Sequence, residues 1–477
     1  MRKWWLYLCL IILVGIGVLG YGKYSKTDKT MKMDENVFQS VEEAYDLIRK
    51  ESVHETPEKK LIEGAINGMA GALKDPYSTY YTKEEAKLHK EQLSDERVGI
   101  GAEITESQGR FLIVSPMKDS PAEKAGLKPY DEIVQVDKER TDGKSLPELI
   151  ALIRGKEGTT VKMTVYRPSE DRHVELKITR AAITQKSVSS KVLVSEGKNI
   201  GYISINVFGE KTAEEWYKNT NELAKQNITS LIIDVRSNPG GYLKSVAQII
   251  SSLIKPNTPF AYMEDSVGHQ EALQLGEKDL AYKYDGQLKK WPTVLLQDEG
   301  SASASEVLSG ALKELNRAAV IGVKSFGKGT VQATWPLSNG GELKLSTHKW
   351  LTPKREWIHG KGIKPTIEVE QNALYHISLP PISGRYKEGD FSEDIQAVQQ
   401  VLKAQGYSIN REDGYFDRTT ADAISEYSKK HNLDAHKEMD ETFLFTLRQD
   451  VVKYRENLEN DLQLQMAVGY LIQRMGN

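Results

Sequence analysis

Apolar and polar residues follow a different rhythm in each stretch of this chain, and each rhythm predicts its own structure. Residues 4–21, "WWLYLCLIILVGIGVLGY", form an apolar run of 18 without a charge, preceded by Arg2 and Lys3. That length is at the lower end of what spans a bilayer as a helix, and no small-x-small cleavage site follows it, so 1–22 reads as an uncleaved anchor. Residues 35–92 are spaced for helices: Val37, Val41, Ala44, Tyr45 and Ile48 share one face, and Pro57 opens "PEKKLIEGAINGMAGAL" at a plausible first helical position. Between 93 and 182 the period shortens to two. "FLIVSPM", "TVKMTVYR" and "HVELKITR" predict short strands, with helices at "SPAEKAG" and "LPELIALIRG".

Residues 183–372 alternate buried runs ("SLIIDVR", "PTVLLQD", "AAVIGV") with amphipathic stretches ("TAEEWYKNTNELAKQ", "YLKSVAQIISSLI", "SASEVLSGALKEL"), the order expected of helices packed on a sheet. Residues 387–450 return to helical spacing in three segments. The tail, 451–477, carries an apolar stripe through Leu462, Leu464, Met466, Val468 and Leu471, suited to a second copy of the chain, so a homodimer is expected. The predicted fold class is a multidomain α/β and α+β chain behind one membrane helix.

Composition narrows the function. Apolar content of 39% and charged content of 27% suit a globular protein, and a net charge of -3 gives no reason to expect nucleic acid. The single cysteine, Cys9, lies in the apolar run, so there is no internal disulfide and no cysteine-based zinc site. The histidines are scattered without an H-E-x-x-H. No metal and no cofactor are expected. Lys23, Lys26 and Lys29 follow the run and weaken the positive-inside argument, but long domains translocate regardless of loop charge. The expected location is the cell membrane, single-pass, with the bulk outside the cytoplasm.

Two features of 93–182 identify that unit. "VGIGAEI" offers consecutive glycine-flanked N–H groups (Val98, Gly99, Ile100, Gly101) and then a strand, and "SPAEKAGLKPYDEIVQVD" is a specific helix-turn-strand. Together they resemble a PDZ domain, which implies that residues 98–101 receive a peptide carboxylate while the next strand edge accepts the peptide as an added strand. The three helical segments after 387 resemble a peptidoglycan-binding module, although the family's usual Phe-Gln stands here as Tyr427-Ser428. Wall binding and a retired fold used for packing both fit.

The chemistry concentrates in 294–332. "GVKSFGKGT" (322–330) reproduces G-x-x-x-x-G-K, but Gly329 stands where a nucleotide loop needs Ser or Thr, and "GTVQATWPL" continues as strand rather than helix. The phosphate-loop reading fails on both counts. Earlier, a buried strand ends in "DEGSASASE" before an amphipathic helix, placing Ser301, Ser303 and Ser305 at a junction where N–H groups lack intrahelical partners. On this stretch alone N-capping is the simpler account, and Glu306 completes the spacing of a capping box. "DVRSNPGGYL" is a second strand-turn-helix, whose Gly240 and Gly241 are free to expose N–H groups; an ordinary turn is the alternative.

"NPGG", "GSASASE" and "FGKGTVQ", in this order after a PDZ-like unit, resemble the C-terminal processing peptidases, with "HGKGIKP" also matching apart from Thr366. The resemblance is nearest to the carboxy-terminal processing proteases of spore-forming Gram-positive bacteria. It implies a serine endopeptidase acting on proteins with accessible C-termini, in processing or signalling linked to sporulation. It further implies Ser303 as nucleophile, Lys328 as general base, Gln332 as the residue orienting the lysine, and an oxyanion hole of Ala304 N–H with an N–H of Gly240 or Gly241. The residue types agree with that chemistry. At pH 7 only about 0.04% of an ordinary lysine is neutral, so burial must disfavour the charged form, and "SFGKGTV" brings no carboxylate to oppose it. The rival reading is a catalytically inactive PDZ scaffold that tethers proteins at the membrane or wall.

Overall fold

A computed structural model of the chain describes residues 37–476 apart from 88–95, 108–109, 118, 185, 285, 378–384 and 435–436. The N-terminal apolar run expected to cross the membrane lies outside these residues; among those described, no helix is long and apolar enough to do so. The chain divides into a small unit ending at Tyr80 and a large one from Tyr81 onward. The small unit carries α1 (Gln39–Glu51) and α2 (Glu58–Gly71). Of the side chains predicted to share a face, Val41, Ala44, Tyr45 and Ile48 stand at helical spacing on α1 while Val37 lies in the turn before it; α1 buries none of its residues, and Val41, Leu47 and Ile48 stay exposed.

Residues 96–184 form strands and two helices: β1 (Glu96–Gly99), β2 (Ala102–Ser107), β3 (Arg110–Pro116), α3 (Pro121–Lys124), β4 (Glu132–Val136), β5 (Glu139–Arg140), α4 (Leu146–Ile153), β6 (Thr160–Arg167), β7 (Arg172–Thr179) and β8 (Ala181–Thr184). The sheet runs β2-β3-β4-β6-β7, which leaves β2 as an edge, while β1 pairs with β8. Alternating residues of β6 (Val161, Met163, Val165) enter a core closed by Leu149 and Ile153 of α4. Ser145 precedes α4 and its N–H is taken by Glu148, one half of a capping box.

The central sheet is built from β9 (Val188–Ser195), β10 (Lys198–Ile205), β11 (Ser230–Asp234), β14 (Thr293–Gln297), β15 (Ala319–Gly322) and β18 (Ile367–Glu368), paired in that order. All pairs are parallel except β9 with β10. Three helices cover one face: α5 (Thr212–Ala224), α6 (Leu243–Leu253) and α7 (Ala304–Glu314). Alternation then explains the unbroken apolar runs. Leu231, Ile233 and Leu295 point into the helical layer, whereas Ile232, Val294 and Leu296 point the other way. A strand buried on both sides has no polar face to show. A second, antiparallel sheet joins β12 (Ala261–Glu264) to β13 (Gln270–Leu273) and to β17 (Glu342–Leu351), which also pairs with β16 (Thr330–Pro336).

The C-terminal region folds α8 (Glu393–Ala404), α9 (Arg418–Lys430) and α10 (Glu441–Glu456) around Ile395, Leu402, Phe416, Ile424 and Phe443. Tyr427 sits in that core, its ring stacked on His431 and its hydroxyl donated to Asp450 at 2.7 Å. Helix α10 continues to Glu456, past the residue 450 boundary drawn from the sequence.

The last helix, α11 (Leu462–Gly476), requires a correction. The stripe assigned to a partner copy mixed two faces. Leu464, Ala467, Val468 and Leu471 follow helical spacing and pack within the chain on Ile200, Ile232, Val294, Leu296 and Ile321, covering the second face of the central sheet. Leu462 and Met466 lie on the outer side, 48% and 43% exposed. Of the stripe that argued for a second copy at the tail, Leu464, Val468 and Leu471 are thus used inside one chain, and Leu462 and Met466 remain outside.

Candidate active site

The turns after β11 and β14 meet because these strands are adjacent and parallel, with Asp234 level with Leu296. Small polar side chains lace them together. Asp298 accepts the N–H groups of Ser237 at 2.7 Å and Gly300 at 3.0 Å. Ser301 Oγ donates to the carbonyl of Val235 at 2.7 Å, and Ser305 Oγ to that of Asn238 at 2.9 Å. Both hydroxyls are fully buried and committed to holding the turns. Asn238 is buried too, reaching the Ile205 carbonyl with Nδ2 and taking the Gly240 N–H on Oδ1.

Ser303, between the two buried serines, differs from both. It is half-buried, and its backbone stands at φ 54 and ψ -112, far from where a side chain sits comfortably. Its N–H is accepted by Glu306 Oε2 at 2.8 Å, while the N–H of Glu306 goes to the main-chain carbonyl of Ser303 at 2.9 Å. Only the carboxylate half of the capping box is therefore formed, and the serine hydroxyl is spared from it. Among the described residues that hydroxyl has no hydrogen-bond partner.

Gly240 packs against this point. A Cβ there would lie 2.8 Å from the Ser303 Cβ and 2.7 Å from the Ala302 carbonyl oxygen; at Gly241 it would meet the Phe208 oxygen at 2.2 Å. Both glycines have positive φ, 103 and 141. Their N–H groups are not equivalent. That of Gly240 is bound by Asn238, whereas those of Gly241 and Ala304 meet no internal acceptor among the described residues. Of the two glycine candidates, Gly241 has the donor to spare.

The third component is the loop 325–329. Glu306 is wholly buried and gathers it: Oε1 accepts Ser325 Oγ at 2.7 Å and the Gly327 N–H at 2.6 Å, and Oε2 accepts the Lys328 N–H at 2.8 Å. One carboxylate oxygen thus receives the backbone N–H of both Ser303 and Lys328. The Lys328 carbonyl takes Trp350 Nε1 at 2.8 Å, so its peptide is pinned on both sides and its side chain is half-buried. Gly362 lies so close to the loop that a Cβ would sit 2.2 Å from the Ser325 oxygen, which places "HGKGIKP" behind it. Gln332 follows on β16, where the pairing with β17 skips a residue. Its Nε2 donates to Thr330 Oγ1 at 2.9 Å and Ser346 Oγ at 3.3 Å, leaving the amide oxygen as acceptor.

The structural role of Glu306 was missed in the sequence, where it stood only as half of a cap. A carboxylate has room for several donors, and the second set arrives from a loop twenty residues away. The stretch "SFGKGTV" itself brings no carboxylate, but the fold sets that of Glu306 against its backbone, with N–H groups and a hydroxyl filling its oxygens.

In the PDZ-like unit, Val98 and Gly99 pair with Ala182 and Ala181, and Ile100 is buried in the core. The carbonyls of Ile100 and Gly101 accept Ala122 N–H and Met117 N–H, both at 2.8 Å. Gly101 has φ 72, and a Cβ there would come within 2.5 Å of Ser120. The turn thus leads into β2, the open edge.

Comparison with known proteins agrees with this architecture. Residues 199–369 match the model of peptidase family S41, 98–178 that of the PDZ domain, 20–85 that of the activating protease CtpB N-terminal domain, and 391–444 that of a putative peptidoglycan binding domain. Carboxy-terminal processing protease CtpB of Bacillus subtilis (strain 168) is 40% identical over 444 residues, covering 93% of this chain and 89% of that protein. Carboxy-terminal processing protease CtpA of the same organism is 34% identical over 451 residues, covering 94% and 93%. Among solved structures, the photosystem II D1 C-terminal processing protease is 25% identical, with a TM-score of 0.44 over 70% of this chain and 87% of that one.

Proposed function

The chain belongs to peptidase family S41, the carboxy-terminal processing serine proteases, and on that footing we propose that it is an endopeptidase working through Ser303, Lys328 and Gln332. Neutral Lys328 takes the Ser303 hydroxyl proton as the oxygen attacks a peptide carbonyl. The oxyanion that forms is met by the N–H groups of Ala304 and Gly241. The lysine returns the proton to the leaving amine, and a water molecule then releases the acyl group by the same route. Gln332, its nitrogen held by Thr330 and Ser346, presents oxygen to the lysine amine without adding charge.

The observation that carries this reading is the strained Ser303, its hydroxyl uncommitted while both neighbouring serines are tied to backbone. A scaffold without catalysis would have no use for that strain. The test replaces Ser301, Ser303 and Ser305 singly by alanine and adds Lys328→Arg, whose guanidinium cannot accept a proton. Cleavage of an unstructured protein should vanish for Ser303→Ala and Lys328→Arg in chains that are folded by circular dichroism. Near-normal cleavage by either would end the proposal. Activity should rise with pH, since the neutral amine is the competent form.

The PDZ domain supplies capture of substrate C-termini at Val98–Gly101 and β2. Residues 4–21 anchor the chain with its bulk outside the cytoplasm, in processing linked to sporulation. Membrane fractionation with external protease, and spore counts after deletion, test those two points. A homodimer would rest on the exposed apolar side of α1 rather than on the tail; light scattering of residues 37–477 with and without 37–73 checks it.

A further inference from the structure

Strand β11 runs out through "DVRSNPGG", and its alternation continues past the last paired residue. Ile233 and Val235 face the helical layer, so Asp234 and Arg236 face the side covered by α11. There Arg236 meets the tail. Its Nη1 and Nη2 each donate to one oxygen of Asp461 at 2.8 Å, a two-pronged pair between residues 225 positions apart. Nη1 also reaches Gln463 Oε1 at 3.2 Å, while Nε and Nη2 hold Asp234. The three charged side chains are 16%, 7% and 9% exposed for Arg236, Asp234 and Asp461. Burial alone pulls the Arg236 guanidinium down, but the two carboxylates outweigh it and hold it above its ordinary value. Asp461 is satisfied from other directions as well, by Gln371 Nε2 at 2.7 Å and by the Leu464 N–H at 3.0 Å, which caps α11.

Arg236 lies four residues before Gly240. Among the described residues, the other holds on 235–241 come from β11 itself, from β14 and the turn after it, or from Ile205 and Phe208: the Val235 N–H goes to the Leu296 carbonyl while its own carbonyl takes Ser301, the Arg236 N–H goes to Asp234, Ser237 is held by Asp298, and Asn238 by Ile205 and Ser305. Among the described residues, only the Arg236 side chain of this turn is held from the C-terminal segment, by Asp461 at the start of α11 and by Gln463 within it. We propose that Asp461, acting through Arg236, is a positioning residue for catalysis: the C-terminal helix locks the turn that aims the Gly241 N–H. This rests on the reading of Ser303 and Gly241 given above. A turn misplaced by about 1 Å costs on the order of a hundredfold in rate, so loss of the fork should be felt in turnover before it is felt in substrate capture.

Asp461→Asn and Arg236→Lys in the full chain, with the double variant, test this against cleavage of an unstructured protein with a free C-terminus. Folded single variants should lose kcat about ten- to a hundredfold with KM within about twofold. The double variant should be no slower than the slower single, because both remove one interaction. Wild-type kcat in a folded single variant, a loss confined to KM, or losses that multiply in the double would each overturn the proposal. If Asp461→Asn does not fold, Gln463→Ala and Arg236→Lys carry the same measurement, and wild-type kcat in both overturns it. Ser303→Ala runs alongside. Cleavage persisting there sinks the reading of the site itself, whatever the clamp variants do.

Discussion

At the scale of single residues, the site stores strain and spends buried polar groups, and both can be measured. Ser303 at φ 54 should cost stability of about 1–3 kcal/mol that glycine would not incur. Ser303→Gly should therefore be inactive yet more stable than Ser303→Ala, which keeps a Cβ in the same conformation. The extra freedom of glycine in the unfolded chain offsets about 0.4–1 kcal/mol of that gain. Urea melts of the two variants decide it, and equal or reversed order would mean that the backbone is relaxed there. Glu306 offers the complementary case. Its two oxygens accept three backbone N–H groups and one hydroxyl, so Glu306→Gln turns one acceptor into a donor facing N–H or O–H. Stability should fall by about 2–4 kcal/mol and cleavage should drop with it, because the same carboxylate joins Ser303 to Lys328. In the sequence, the run of small residues at a strand-to-helix junction leaves Ser301, Ser303 and Ser305 all open, and Ser303 is singled out only by the resemblance to the C-terminal processing peptidases. The sequence could not choose between Gly240 and Gly241, since that choice depends on Asn238 Oδ1 taking one N–H and leaving the other.

At the scale of elements, periodicity predicted the strands and helices of the central sheet well, for a physical reason: an aliphatic run buried on both faces leaves few other options. It misled at the tail. Leu462, Leu464, Met466 and Val468 alternate in the sequence, but a helix places 462 and 466 on one side and 464, 467, 468 and 471 on the other. What covers the second face of a sheet cannot be read from the sheet's own residues, and here the cover arrives from the far end of the chain. Leu471→Ala should destabilise the large unit by about 2–5 kcal/mol, as a buried leucine whose neighbours cannot close the gap. Denaturant unfolding checks the magnitude; a change in oligomeric state without a change in stability would favour the original view of the tail. The anchoring should also depend on pH. Burial raises the Asp461 carboxyl, but hydrogen bonds from Arg236 more than compensate and leave it below the ordinary 3.8. A depressed carboxylate contributes stability that is complete above its unfolded value and is lost as pH falls through the folded one. The clamp is thus intact at neutral pH and weakens only below about pH 4. The protection of the α11 amides against hydrogen exchange, taken relative to the intrinsic exchange rate at each pH, should fall in that range and hold between pH 5 and 8.

At the scale of the whole molecule, the proposed function assigns capture and turnover to different parts of the large unit, and kinetics can separate them. The PDZ domain contributes a free strand edge, β2, and a turn at Ile100–Gly101 whose N–H groups meet no internal acceptor among the described residues. A peptide laid along β2 would end its chain at that turn, where a carboxylate gains charge-assisted hydrogen bonds that a carboxamide cannot match. For one unstructured substrate prepared with a free and an amidated C-terminus, KM should rise several-fold on amidation while kcat holds. Gly101→Val should reproduce the rise on the free substrate, since a Cβ there lies 2.5 Å from Ser120 and its φ of 72 suits no branched residue. The same variant should treat the two substrates alike. Short peptides that reach Ser303 without occupying the PDZ edge should be indifferent both to amidation and to Gly101→Val. Weakening the Arg236–Asp461 fork should do the reverse, lowering kcat on long and short substrates equally. If amidation instead lowered kcat at constant KM, the terminal carboxylate would be acting on the catalytic machinery rather than on capture, and this division of labour between the two parts would be wrong.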